Sequence, residues 1–301
     1  MDNEARKKRV LITGCSSGFG LLTAVKTAKA GFDCIATMRN LDKATDLRGA
    51  LKRAGTNAVI QKLDVTEPRD IEMIAEKYAP VDILVNNAGI LIMGSFLDIS
   101  EKEMRSVFET NYFAAVNLTR ALVPDMINAQ NGLIINIASL AGLVGHMYNA
   151  AYAASKHALI GFSRSIRLEL QPFNIKVVSV EPGYHRTEII RSNANLAENF
   201  YNKTSPAFEY NRGFLRLMFE KIIPMASDAA DVANKLVEIM KTKNPKPHYV
   251  MGKDAKFATA AIRLGFGSLL EKKAAQQLAI NTRRQSRIEQ IRVERKKKPE
   301  Q

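Results

Sequence analysis

Short apolar runs alternate along this chain with longer amphipathic stretches. Residues 9–13, Arg-Val-Leu-Ile-Thr, are too short for a buried helix and read as a strand; residues 19–30 carry a helical pattern closed by Gly31. The same alternation predicts strands over 34–38, 59–63, 81–85, 132–138, 175–180 and 249–252. Helices are predicted over 42–54, from a cap at Thr66 to Tyr78 with Pro68 in the first turn, from a Ser100/Glu103 capping box to about Ala129, and over 152–170. Strands that are apolar throughout must be covered on both faces. The pattern therefore predicts an α/β fold, a doubly wound parallel sheet with helices on both sides.

The alternation breaks between Pro182 and Pro224, leaving an insert over about 184–224 that is rich in Phe200, Tyr201, Phe208, Tyr210, Phe214, Leu217, Met218 and Phe219. Loops this long in compact domains are usually functional, and the aromatic content suggests an apolar ligand or simple packing of the insert. Beyond Gly252 the composition shifts. Residues 251–301 hold 13 Lys and Arg against 5 Asp and Glu, so they carry +8 of the chain's net +14. We divide the chain into an α/β domain, 1–252, and a basic, partly helical extension, 253–301, whose pattern is interrupted at Gly265 and Gly267. The extension is a solvated tail, a cover over the substrate cleft, a contact with a partner subunit or a peripheral contact with an anionic membrane. Its final run, 283–298, has almost no aromatic residues to stack on bases, so nucleic-acid binding is the poorer reading.

With 46% hydrophobic residues the chain can bury a full core, and no apolar run approaches the 18 or so residues of a spanning helix. The polar start lacks a signal-peptide core, and Cys15 and Cys34 imply no disulfide framework. A reducing, cytoplasmic setting is expected. His146, His157, His185 and His248 show no ligand spacing, so no catalytic metal is expected; His185 reads as a surface residue that could alternatively touch substrate.

Candidate chemistry concentrates in an ordered series of motifs. After the first strand, Gly14, Gly18 and Gly20 with Ser16, Ser17 and Phe19 form a turn that lets the backbone approach a pyrophosphate at the positive end of the next helix. Asn86-Asn87-Ala88-Gly89 follows the fourth strand, and then come Asn111, Ser139, Tyr152, Lys156 and Pro182-Gly183 with Thr187. Tyr152 and Lys156 share one helix face at i and i+4, so an ammonium beside the phenol can favour the phenolate. Ser139 lies 13 residues before Tyr152, close enough for the intervening loop to bring both hydroxyls to one point.

This series resembles the short-chain dehydrogenase/reductase family in its single-domain branch, over about residues 8–251 and with the Rossmann-like fold. The resemblance implies hydride transfer between a nicotinamide and a carbonyl or alcohol, with Tyr152, Lys156, Ser139 and Asn111 as catalytic residues. Tyr152 would carry the proton, Ser139 would hydrogen-bond the oxygen, Lys156 would assist Tyr152 and hold ribose hydroxyls, and Asn111 would keep a water in line with Lys156. It places the cofactor against the glycine turn, Asp64, Val65, Asn87, Ala88, Gly89, Pro182, Gly183 and Thr187. For Asp64 the alternative is that it caps the turn before Thr66. The second strand ends in Thr37-Met38-Arg39-Asn40, with no acidic residue for a ribose diol, and Arg39 offers a guanidinium to a 2′-phosphate; NADP(H) is expected over NAD(H).

The stretches around Ser139, Leu168 and Val180 look most like steroid- and retinoid-metabolising members. That implies a bulky apolar carbonyl or alcohol (a steroid, retinoid, long-chain aldehyde or lipid ketone) bounded by Ser139, Met93, Leu143, Met147, Tyr148 and Tyr184. A homodimer or homotetramer is the family expectation. The rival reading is a non-catalytic NADP-binding sensor on the same fold, which would tend to lose the Tyr or the Lys; both are present.

Overall fold

The computed structural model describes residues 6–187 and 194–297, with Ala194 and 284–297 as backbone only. In chain order the strands are β1 (Arg9–Ile12), β2 (Asp33–Met38), β3 (Val59–Lys62), β4 (Ile83–Asn86), β5 (Leu91–Met93), β6 (Gly132–Ile137), β7 (Ile175–Pro182), β8 (Ala194–Leu196) and β9 (His248–Met251). Seven of them form one sheet, in the order β3-β2-β1-β4-β6-β7-β9, with every pairing parallel. All seven predicted strands are present. They were legible because a central parallel strand is buried on both faces, as β4 and β6 are along their whole length.

The helices are α1 (Gly18–Lys29), α2 (Thr45–Arg53), α3 (Pro68–Tyr78), α4 (Glu101–Phe108), α5 (Ala114–Asn128), α6 (Ala150–Leu170), α7 (Phe208–Leu217), α8 (Ala229–Lys241), α9 (Lys253–Arg263) and α10 (Gly267–Lys297). Two apolar layers flank the sheet, and β1 shows how one strand feeds both. Val10 and Ile12 pack with Ala24 of α1, Leu47 of α2 and Leu236 of α8. Leu11, on the opposite face, packs with Ile74 of α3 and Leu118 of α5. Each such side chain, fully buried, contributes about 1.5–3 kcal/mol.

The strand order reverses between β1 and β4, the point where a doubly wound sheet opens a crevice at its carboxyl edge. Two local expectations differ from what forms there. Thr66 does not cap α3: its N–H and hydroxyl both donate to Asp64 Oδ1, at 3.0 and 2.7 Å, and the helix begins at Pro68 after Glu67. The long helix from Ser100 is divided by a π-helical segment, Glu109–Phe113, between α4 and α5. The Ser100/Glu103 capping box at its start is present.

The insert supplies structure that periodicity did not announce. β8 pairs in parallel with β5, Leu91 opposite Ala194 and Met93 opposite Leu196, as a separate two-stranded sheet. Asp98 accepts a 2.6 Å hydrogen bond from Asn211 of α7, which also donates to the Phe200 carbonyl and ties the insert down. Residues 188–193 of the insert and 298–301 of the basic tail lie outside the described residues.

The extension folds as expected, two helices divided at Gly265 with φ of +85°. α10 lies along α7 so closely that a Cβ on Gly213 would overlap Thr282. Leu278 of α10 thereby joins the apolar cluster of Leu91, Met93, Phe214 and Met218, which also touches Tyr152 and Tyr184. Around Leu278, Asn281 and Thr282 the tail is thus packed against the insert, while most of 253–276 stays exposed.

Candidate active site

A cavity of about 980 Å³ runs along the carboxyl edge of the sheet, from the end of β2 to the start of α6. Its floor is the glycine turn. Gly14 and Gly18 adopt φ of +70° and +56°, a region costly for a side chain, and a Cβ on Gly20 would strike the Gly14 carbonyl. Asn87 braces that turn: its Nδ2 donates to the carbonyls of Thr13 (2.7 Å) and Gly14 (3.2 Å). Thr13 Oγ1 in turn accepts the backbone N–H groups of Asn87 and Ala88, at 3.0 and 2.9 Å. Gly14, Ser16, Ser17, Gly18, Phe19, Asn87, Ala88 and Gly89 all line the cavity, while Gly20 lies beneath it.

At one end stand Arg39 and Asn40, with Lys43 from the short turn that follows β2. Neither Arg39 nor Lys43 forms an ion pair with a carboxylate among the described residues. Asp64 and Val65 line the wall beside them. One Asp64 oxygen holds the Thr66 turn, so the turn-capping alternative is realised, and the residue still faces the cavity.

At the other end Ser139, Tyr152, Lys156, Pro182, Gly183 and Thr187 converge on the same space. Ser139 follows β6 in extended backbone; its Oγ accepts from Ala141 N–H and lies 3.4 Å from the Pro182 carbonyl. Tyr152 sits in the first turn of α6, one turn before Lys156. Lys156 is only 4% exposed; its Nζ donates to the Ile137 carbonyl at 2.8 Å and lies 5.7 Å from the centre of the Tyr152 ring. Two of its three donors are left over. Burial lowers the Lys156 pKa to about 8. Burial also raises the Tyr152 pKa, and a hydrogen bond with Ser139 pulls it partly back. Desolvation therefore outweighs the expected help from Lys156, and Tyr152 is a phenol at neutral pH.

Asn111 does not line the cavity. From the π-helical segment its Oδ1 accepts Ile90 N–H at 2.8 Å, and its Nδ2 donates to the Ile90 carbonyl (3.0 Å) and Ser155 Oγ (3.1 Å). A Cβ on Gly89 would lie 3.2 Å from Asn111 Oδ1 and 3.7 Å from Lys156 Nζ, so the absence of a side chain at Gly89 keeps these two groups close.

Of the residues expected at the substrate, Ser139, Met93 and Tyr184 line the cavity, but Met147, Tyr148 and Leu143 do not. Tyr148, at φ of +61°, stacks on Phe214 with ring centres 4.5 Å apart and packs behind the wall. The insert aromatics form no wall either. Only Met218 among the insert residues singled out reaches the cavity; Phe200 and Phe214 are core, and Tyr201, Tyr210 and Phe219 are exposed. The surface assignment of His185 is also corrected: it is 2% exposed, its Nδ1 lies 3.0 Å from the Gly183 carbonyl and its ring sits edge-on to Phe19. Sequence reasoning missed Lys43, His146 and Asn149 as cavity residues. Lys43, four residues after Arg39, could have been found from its spacing; the other two depend on how the loop before α6 closes.

The donors fit a nicotinamide dinucleotide: a glycine cradle under the centre, cations without a carboxylate partner among the described residues at one end, and a serine, a phenol and a buried ammonium at the other. Among the described residues no cluster of His, Cys, Asp or Glu could hold a metal ion.

Residues 8–197 match a family model described as short chain dehydrogenase. Human retinol dehydrogenase 8 is 35% identical over 250 residues, covering 80% of each chain. A short-chain dehydrogenase structure from Streptomyces avermitilis superposes with a TM-score of 0.75 at 32% identity, covering 91% of this chain and 98% of that one. A variant of the actinorhodin polyketide ketoreductase, solved with NADPH, gives 0.68 at 27% identity over 81% of this chain and 95% of that one.

Proposed function

The chain belongs to the short-chain dehydrogenase family, oxidoreductases that use a nicotinamide cofactor, and on that premise we propose that it is an NADPH-dependent reductase of bulky apolar carbonyl compounds, with Tyr152, Lys156, Ser139 and Asn111 as its catalytic residues. The observation that carries this reading is the meeting of Ser139, Tyr152 and Lys156 in the cavity that the glycine turn floors.

Bound along that cavity, NADPH supplies the hydride. The residues do the rest. Arg39 and Lys43 receive the 2′-phosphate as charge-assisted donors, and the backbone of residues 14–20 holds the pyrophosphate. Asp64 and Val65 meet the adenine end, Asn87, Ala88 and Gly89 the ribose, and Pro182, Gly183 and Thr187 the nicotinamide end. Ser139 donates to the substrate carbonyl oxygen as charge develops on it, and Tyr152 gives that oxygen its proton. A buried phenol is the protonation state that reduction requires. Lys156, with two donors free, holds the ribose hydroxyls and favours the phenolate left behind; Asn111 positions Gly89 and Ile90 beside it and keeps the water that returns the proton from solvent.

The substrate class rests on the apolar wall of Leu91, Met93 and Met218 and on the similarity to retinol dehydrogenase 8. Residues 1–252 would be the catalytic domain and 253–301 an extension to it, with self-association as a dimer or tetramer. The extension would also touch an anionic membrane. The outward stripe of α9 runs Lys253, Lys256, Phe257, Ala260, Arg263 and Leu264, all exposed, with Phe257 at 67% and Leu264 at 72%. Large apolar side chains flanked by cations are the pattern of an interfacial helix. No helix among the described residues is long and apolar enough to cross a membrane.

The test is oxidation of NADPH and NADH against ketosteroids, retinal, long-chain aldehydes and lipid ketones, with Tyr152→Phe as control. Turnover with NADPH that vanishes in Tyr152→Phe is the expected result. Tight NADPH binding with no turnover of any carbonyl would favour the sensor reading.

A further inference from the structure

The substrate end of the cavity holds a second polar group set, distinct from Ser139 and Tyr152. His146, on the loop before α6, and Tyr184, just after β7, both line the cavity, and the Tyr184 hydroxyl lies 3.3 Å from His146 Nδ1. Their rings meet edge to face with centres 5.8 Å apart. Tyr184 is held from behind, its backbone N–H donating to Asp254 Oδ2 at 2.7 Å. Beside the pair stands Asn149, also a cavity residue, only 6% exposed, whose Oδ1 is buried with no hydrogen-bond partner.

The pair is neutral. Burial lowers the His146 pKa and raises that of Tyr184, so an imidazole faces a phenol. Whichever of the two donates across their shared hydrogen bond, one donor and one acceptor are left, His146 Nε2 and the remaining site on the Tyr184 oxygen. Such a set suits a hydroxyl, which both gives and accepts, or a carbonyl oxygen. It does not suit a carboxylate: among the described residues the charge that acts on both rings is that of Asp254, which would repel one.

We propose that His146 and Tyr184 bind a second, uncharged oxygen of the substrate, so that the preferred substrate is an apolar ketone or aldehyde carrying a hydroxyl or carbonyl group near the reacting carbonyl. This rests on the reductase reading and narrows its substrate class.

The experiment compares ketones of one apolar skeleton that bear, at the neighbouring position, hydrogen, hydroxyl, carbonyl or carboxylate. Both kcat/KM with NADPH and the Kd of each compound by calorimetry on the NADPH complex are read. The wild-type chain should favour hydroxyl or carbonyl over hydrogen by about 10-fold, one net hydrogen bond, and reject carboxylate. Tyr184→Phe and His146→Phe should each collapse that ratio toward 1, while His146→Gln, which keeps a donor and an acceptor, should retain most of it; circular dichroism checks that each variant is folded. A flat series in the wild type, a preference for carboxylate, or a preference that survives Tyr184→Phe and His146→Phe would overturn the proposal while leaving the reductase reading intact. Absence of turnover with every compound sinks the reductase reading instead, and the calorimetric ratio still decides whether the subsite exists.

Discussion

Lys156 should destabilise the protein it serves. A lysine whose pKa falls from 10.5 to about 8 on folding is held in its charged form against the cost of burial. At 1.36 kcal/mol per pKa unit, that cost is about 3 kcal/mol at pH 7. Lys156→Met keeps the length and removes the charge. It also leaves the Ile137 carbonyl without its 2.8 Å donor, a loss of about 1–3 kcal/mol. The variant should therefore be as stable as the wild type at pH 7, or more stable by up to about 2 kcal/mol, while losing turnover.

The pH dependence is the sharper test. Between about pH 8 and 10.5 the unfolded wild-type chain binds more protons at this site than the folded one, so the wild type gains stability as pH rises and the penalty fades. The stability advantage of Lys156→Met over wild type should then shrink by about 2 kcal/mol between pH 7 and 9.5. Taking the difference between the two proteins cancels Cys15 and Cys34, whose raised pKa values act in the opposite direction from about pH 9 in both. The chain has no tryptophan, so urea unfolding is followed by far-ultraviolet circular dichroism. A difference that stays constant from pH 7 to 9.5 would refute the reasoning, because Lys156 would then titrate alike in both states.

The remaining expectations concern the cofactor, the extension and the membrane. Replacing Arg39 and Lys43 together by Ala should weaken NADPH about 10- to 30-fold, at roughly 1 kcal/mol per exposed cation, and leave NADH nearly unchanged; equal loss for both cofactors in a fluorescence titration would contradict the 2′-phosphate role. Gly213→Leu should force α10 off α7, lowering Tm by about 2–5 °C for an overpacking cost of about 1–3 kcal/mol and exposing residues 267–283 to proteolysis; unchanged Tm and cleavage would show that the helices do not need the close approach. Vesicles with anionic lipid should sediment the wild-type chain at low salt, and Phe257→Ser with Leu264→Ser should release it; equal binding by this double variant would point to the cations alone.

How much was legible follows from which contacts are local. The central strands of the main sheet, β4 and β6 above all, are apolar because they are buried on two faces, and that saturation is written in consecutive residues. The glycine turn was readable because positive φ and close approach exclude a Cβ, and Tyr152 with Lys156 because one helical turn separates them. Helix 100–129 was visible as a period, but its π-helical segment was not: that segment coincides with bonds from Asn111 to Ile90, 21 residues away.

What tertiary structure alone decided involves partners distant in sequence. β5 pairs with β8 across about 100 residues, and Leu278 reaches the cluster around Tyr152 from the far end of the chain. The aromatic content of the insert suggested an apolar ligand, yet Phe200 and Phe214 are buried in apolar clusters formed with residues far away in the chain, such as Val107 and Leu91, and it is Met218 that reaches the cavity. His185 is buried against Phe19 and His146 is joined to Tyr184, and no spacing predicts either. A residue's own pattern reports which way its element faces. Which group it meets, and whether it is left charged or neutral, depends on the closure of long loops, and that is where the substrate end of this site is set.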